Sequence, residues 1–120
     1  MKKTLVLGAS ENPERYSNKA IKSLLKHGHI VVGIGARKGV VDGVEFIKER
    51  LAFTDIDTVT LYLSPKNQVT YYDYIISLKP RRIIYNPGTE NPELETLAAK
   101  HGIENLEACT LVLLGTGQYS

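Results

Sequence analysis

The stretch Lys3-Thr-Leu-Val-Leu-Gly-Ala-Ser-Glu-Asn-Pro-Glu-Arg-Tyr-Ser-Asn-Lys-Ala-Ile-Lys-Ser-Leu-Leu-Lys-His-Gly-His-Ile-Val-Val-Gly-Ile34 changes its apolar period twice. Lys3 to Leu7 is a short apolar run rich in β-formers that ends at Gly8, which predicts a buried strand. Ala9 to Arg15 is polar and contains Pro13, so it reads as a loop. From about Ser17 the spacing becomes helical, with Ala20, Ile21, Leu24 and Leu25 on one face and Gly28 as the stop. His29 to Ile34 is a second buried strand. Strand, loop, helix, strand is a βαβ unit, and its crossover is right-handed.

The rest of the chain repeats the alternation. Gly35 to Gly43 carries three glycines and reads as a loop or a loose hairpin. Thr58 to Leu63 is a third strand. Pro65 opens a helix with Val69, Tyr72, Ile75 and Ile76 on one face, ending before Pro80. Arg82 to Tyr85 is a fourth strand, and Asn86-Pro-Gly88 a turn. A helix follows from Pro92, carrying Leu94, Leu97 and Ala98, with Gly102 as its stop. Ile103 to Ala108 is a short fifth strand. The expected fold is therefore α/β: a Rossmann-like, doubly wound sheet of about five mainly parallel strands with helices on both faces.

The composition agrees with one globular domain over residues 1–120. Apolar residues make up 42% and charged residues 23%, and 15 Lys and Arg against 13 Asp and Glu leave a formal charge of +2. That balance does not supply the basic stripe that nucleic acid requires. No apolar run approaches the roughly 18 residues of a membrane span. The start, Met1-Lys-Lys-Thr-Leu-Val-Leu-Gly8, is basic then apolar but too short for a secretion signal. A single cysteine forms no internal disulfide, which points to the cytoplasm.

In a doubly wound sheet the ligand lies beyond the carboxyl ends of the strands. Four loops meet there. The first is Gly8-Ala9-Ser10 through Arg15, Tyr16 and Ser17 to Asn18. Its glycine lets the backbone approach a ligand, and the helix that follows offers free N–H groups to a phosphate. Ser10, Ser17 and Asn18 add hydroxyl and amide donors, although a tight turn with a serine N-cap explains the same residues. Glycines are missing where the dinucleotide fingerprint needs them, since positions 10 and 13 hold Ser10 and Pro13. The second loop is Gly35-Ala36-Arg37-Lys38. A dinucleotide enzyme places an acid near here for the ribose; two cations suit a phosphorylated ribose instead, as in NADP or coenzyme A, although a solvated surface pair explains them as well. The third, Ser64-Pro65, reads equally as a helix cap. The fourth is Asn86-Pro87-Gly88.

These residues resemble a known family. The chain is similar to the small stand-alone CoA-binding proteins, whose fold is that of the nucleotide-binding domain of the succinyl-CoA synthetase α subunit. The likeness rests on Leu5 to Ser17, which looks like the family's strand and G-A-S-x-x-P-x-R-x-S loop, and on Leu25-x-x-His-Gly-His-x-Val-Val32. By the same match Lys38 stands where the synthetase has a CoA-binding lysine, and Ser64-Pro65 where the family flanks the adenosine and pantetheine. Departures occur at Ile34-Gly-Ala36, Tyr62-Leu63 and Glu107-Ala108. The resemblance implies a non-catalytic or regulatory module for coenzyme A or acyl-CoA. Its pyrophosphate would sit at the Gly8–Asn18 loop, its 3′-phosphate near Arg37 and Lys38, and its adenine among Ser64, Pro65 and Val69, with Asn86 to Gly88 below. The alternatives are an enzyme component using NADP or acyl-CoA with a partner chain, and an interaction module that holds no ligand. A homo-oligomer or a protein partner is compatible with each.

Other residues have ordinary explanations. His27 and His101 each precede a glycine at a helix end and suit the helix dipole. Cys109 reads as a buried, inert thiol. No catalytic constellation and no metal-ligand spacing emerges. Tyr71 and Tyr74 form a candidate exposed partner patch. Thr110 to Ser120 has no assignment.

Overall fold

A computed structural model describes residues 3–120; Met1 and Lys2, which open the basic start, lie outside the described residues. In chain order the elements are β1 (Lys3–Ala9), α1 (Tyr16–Lys26), β2 (Ile30–Gly35), β3 (Gly39–Val41), β4 (Val44–Ile47), β5 (Thr58–Leu61), α2 (Pro65–Gln68), α3 (Tyr72–Leu78), β6 (Arg82–Tyr85), α4 (Pro92–Lys100), β7 (Glu104–Glu107) and α5 (Thr110–Gly115).

The strands form one sheet in the order β3-β4-β2-β1-β5-β6-β7. The antiparallel pair is β3 with β4; the other neighbours run parallel. β1 is central, with Leu5 opposite both Val32 and Val59. The chain leaves β1 toward β2 and later returns to β5 on its other side, so the strand order reverses around β1.

Alternate side chains of each strand serve opposite faces. Leu5, Leu7, Val59, Leu61, Ile83 and Tyr85 pack with Ile75, Leu94 and Ala98 from α3 and α4. Val6, Val31 and Ile84 pack with Ile21 and Leu24 from α1 and with Leu114 from α5. The expected doubly wound α/β sheet is present, with both faces covered.

The sequence reading needs five corrections. The sheet has seven strands rather than five. Gly39 to Ile47 forms a hairpin whose second strand, β4, joins β2 in parallel. The hairpin reading of the glycine-rich segment holds, shifted to residues 39–47, but its membership in the sheet had no local signal. Second, Ser17 is no N-cap: Arg15 occupies that position, and Ser17 is buried inside α1. Third, the helix after Pro65 breaks into α2, a 3₁₀ turn over Val69–Tyr71, and α3. Gln68 causes the anchoring there, donating from Nε2 to the carbonyls of Leu63 at 2.8 Å and Thr89 at 2.9 Å.

Fourth, Tyr71 and Tyr74 are half-buried against the core rather than an exposed patch. The Arg50 guanidinium lies 4.0 Å from the centre of the Tyr71 ring, and the Tyr74 hydroxyl donates to the Leu51 carbonyl at 2.5 Å. Fifth, Cys109 is half-buried, at the N-cap of α5. The unassigned tail is structured. α5 packs with α1, and Tyr119 is 2% exposed, its ring centre 4.5 Å from the Arg82 guanidinium. The histidines do cap their helices: Nδ1 of His27 contacts the Ser23 carbonyl at 2.8 Å, and Nδ1 of His101 that of Leu97 at 3.0 Å.

Among the described residues, no helix is long and apolar enough to cross a membrane.

Candidate functional site

The carboxyl ends of β1, β2, β5 and β6 surround a cleft of about 890 Å³. Its geometry begins at Gly8. The β1 register shifts between Leu7 and Ala9, and Gly8 takes a φ of +106° that only glycine adopts freely. A Cβ there would come 3.1 Å from the Tyr62 backbone, so β1 leaves the sheet in close contact with the end of β5.

The following loop is held by its own side chains. Asn12 N donates to Ser10 Oγ at 3.1 Å, Glu14 N to Asn12 Oδ1 at 3.0 Å, and Asn18 Nδ2 to the Ser10 carbonyl at 3.0 Å. These local bonds carry the chain into α1 with its first turn facing the cleft. Among the described residues no side chain caps that turn, and it contains no acid. The partial positive charge of an uncapped helix N-terminus therefore opens directly onto the cavity.

The cleft brings together Gly8, Ala9, Ser10, Arg15, Tyr16, Ser17, Ala36, Arg37, Ser64, Pro87 and Gly88 from the sequence-derived set. Asn18, Gly35, Lys38, Pro65, Val69 and Asn86 do not line it, and each has a visible reason. Asn18 is buried behind the loop, and its Oδ1 has no hydrogen-bond partner among the described residues. At Gly35 a Cβ would sit 2.6 Å from the Ala9 carbonyl oxygen, so this glycine serves close packing of β2 on β1. Lys38 is exposed beyond the wall, and Val69 is 52% exposed on the 3₁₀ turn. Pro65 starts α2 from behind Ser64.

Asn86 is 3% exposed and fully engaged. Its Nδ2 donates to Thr60 Oγ1 at 2.7 Å and to the Leu61 carbonyl at 2.9 Å, while its Oδ1 accepts from Thr110 N at 2.9 Å. It fastens β5, β6 and α5 together beneath the site.

Sequence reasoning missed Glu11, Asn12, Glu14, Phe46, Tyr62, Leu63, Asn67 and Thr89 of the lining. Glu11, Asn12 and Glu14 lie inside the first loop; Glu11 and Glu14 carry carboxylates, which repel an anion, and Asn12 reads as a turn residue, its Oδ1 accepting from Glu14 N. Phe46 belongs to β4 and had no signal without that strand. Tyr62 stands at the floor. Burial pushes its phenol up and hydrogen bonds with the Thr110 and Thr60 side chains pull it part of the way back, leaving it at about 12. At neutral pH it stays protonated.

The opposite end of the sheet has a smaller hollow of about 320 Å³ between His27–His29 and Gly117–Ser120. It lies at the amino ends of the strands, away from the helix N-termini. Among the described residues, no three His, Cys, Asp or Glu side chains are placed to share a metal ion.

The comparisons with known proteins agree with this fold. A family model described as CoA binding domain matches residues 2–115. The chain belongs to the CoA binding domain family. One solved structure, of an uncharacterized protein, is 50% identical, covers 98% of each chain and superposes with a TM-score of 0.96. A hypothetical protein from Pyrococcus horikoshii OT3 is 27% identical over 99% of this chain and 84% of its own, with a TM-score of 0.83. An acetyl-coenzyme A synthetase from Ca. Korarchaeum cryptofilum, solved with phosphate and ADP, shares the fold: TM-score 0.72, 18% identity, 89% of this chain and 25% of that one. No curated protein matches. Membership in this family makes a CoA-type nucleotide the expected class of ligand.

Proposed function

We propose that the cleft binds coenzyme A or an acyl-CoA and that the chain acts as a binding or regulatory module. One observation carries this reading: the uncapped N-terminus of α1 faces a cavity large enough for a nucleotide, with Arg37 on its wall. A diphosphate at that turn would meet free N–H donors and the positive end of the dipole. Arg37, on the loop after β2, would pair with the 3′-phosphate, and Lys38 beside it would add only longer-range attraction. Ser64 and Leu63 would flank the adenosine. Family membership supports the ligand class.

Isothermal titration with CoA, dephospho-CoA and NADP tests the assignment. Binding of CoA is expected, with a preference over dephospho-CoA. Arg37→Ala should weaken CoA roughly tenfold or more, the value of one charge-assisted hydrogen bond, and leave dephospho-CoA nearly unchanged. No heat with CoA at high micromolar concentration would refute the reading. Tighter binding of NADP than of CoA would move it to the NADP alternative.

A further inference from the structure

The loop that carries Arg37 is three residues long, Ala36 to Lys38, and all three are exposed. An exposed arginine reads a phosphate selectively only if its backbone is fixed, so what fixes the two ends of this loop decides its behaviour. At the first end β2 does it. Gly35 pairs with Ala9, and a Cβ on Gly35 would lie 3.0 Å from two atoms of the Phe46 ring and 2.6 Å from the Ala9 carbonyl oxygen.

The second end is Gly39 and Val40 of β3, an edge strand. Here the support comes from the first loop. Oε2 of Glu11 accepts a hydrogen bond from Val40 N at 2.9 Å, across 29 residues of sequence. The side chain reaches there by lying over Gly39: a Cβ on that glycine would come 2.7 Å from Glu11 Cγ, 2.9 Å from its Cδ and 2.7 Å from Phe46 Cζ. Glycine at position 39 is thus what makes room for Glu11 and Phe46 together.

Glu11 also lines the cleft, where a carboxylate repels a polyanionic ligand. A group that opposes the ligand's charge and yet crosses the mouth to hold the cationic loop has a positional use. We propose that Glu11 is a positioning residue for Arg37: its reach to Val40 N sets the Ala36–Lys38 loop, and through it the preference for a 3′-phosphorylated nucleotide. This role rests on the CoA reading of the cleft. Two properties of the side chain act in opposite directions. Its length and acceptor oxygen place the loop and so favour the 3′-phosphate, whereas its charge lowers affinity for anions, more for CoA than for dephospho-CoA, which lacks that phosphate.

The test uses Glu11→Asp, which keeps the charge and loses one methylene of reach, and Glu11→Gln, which keeps the reach and an acceptor oxygen and loses the charge. Glu11 is exposed, so both variants should fold. Titration with CoA and dephospho-CoA gives the preference ratio, and hydrogen exchange reports on the Val40 amide. Glu11→Asp should reduce the wild-type ratio about tenfold and speed Val40 exchange, the scale of one charge-assisted bond. Glu11→Gln should keep the ratio or raise it while binding both ligands more tightly, CoA the more so. An unchanged ratio in Glu11→Asp, or an equal loss in Glu11→Gln, overturns the proposal while leaving the CoA site standing. Failure of the wild-type chain to bind CoA overturns both, and Val40 exchange then shows whether the bond itself exists.

Discussion

Asn86→Asp changes one amide nitrogen to oxygen and should unfasten the floor of the cleft. The three side-chain bonds of Asn86 respond differently. Thr110 N still finds an acceptor, and the Thr60 hydroxyl can turn to donate. The Leu61 carbonyl, 2.9 Å from the present nitrogen, would face an oxygen in a site that is 3% exposed. A buried carboxyl with such a neighbour is driven to its neutral form, by as much as three to five pH units above its ordinary range when fully buried. Taking a rise of about three, the penalty at neutral pH is about 4 kcal/mol. For a chain of 120 residues that corresponds to roughly 16 °C in Tm.

The sign follows from linkage. Below about pH 4 the new carboxyl is neutral in folded and unfolded chains alike, and that penalty vanishes. It grows as pH rises from about 4 to about 7, where only the unfolded chain loses its proton, and is constant above. Denaturant titrations of wild type and variant from pH 4 to 8 give the difference directly. A small difference independent of pH would refute the placement of Asn86 against the Leu61 carbonyl. Because the side chain has no free group toward the cleft, CoA affinity of the folded variant should stay near wild type, and a selective loss of binding would restore Asn86 to the ligand contacts.

Two further outcomes follow from other parts of the fold. Tyr119→Ala should cost about 3–5 kcal/mol in denaturant unfolding, because it removes a buried ring stacked near Arg82 and His29; a loss under about 1 kcal/mol, the scale of ordinary substitutions, would show that the tail is not docked. Tyr62, ordinarily near 10 and held at about 12, keeps its proton in the folded chain after the unfolded chain has lost it. Its contribution is whole below pH 10 and is lost as pH rises through 12. Melting curves from pH 9 to 12 should fall less steeply for Tyr62→Phe than for wild type, and parallel curves would contradict the burial of that phenol.

Much of the fold was legible in the first 34 residues, because strand, loop and helix there differ in period and the punctuation is unambiguous. The same rules failed where the signal was short. The β3–β4 hairpin holds two glycines, Gly39 and Gly43, and its pairing with β2 joins segments that are not adjacent in the chain. The helix after Pro65 carried a sound apolar pattern, yet Gln68 found carbonyl acceptors at both Leu63 and Thr89 and broke its continuity. Tyr71 and Tyr74 read as exposed by helical spacing because the loop that covers them, Arg50 and Leu51, has no periodicity to announce it.

The sequence by itself determined that β1 would be followed by a glycine, a polar loop and a helix, and that two cations would follow β2. Those facts are local: they depend on residues adjacent in the chain and on backbone preferences. They sufficed for the α/β class and for an anion-binding reading of the first loop. Tertiary structure alone decided which side chains share the cleft. It moved Asn86 beneath the floor, left Lys38 outside the wall, and carried Glu11 to an amide 29 residues away. The physical reason is that a loop's direction is set by what its ends pack against, here Ala9, Phe46 and Glu11, and none of those contacts is written in the order of the residues that form the loop.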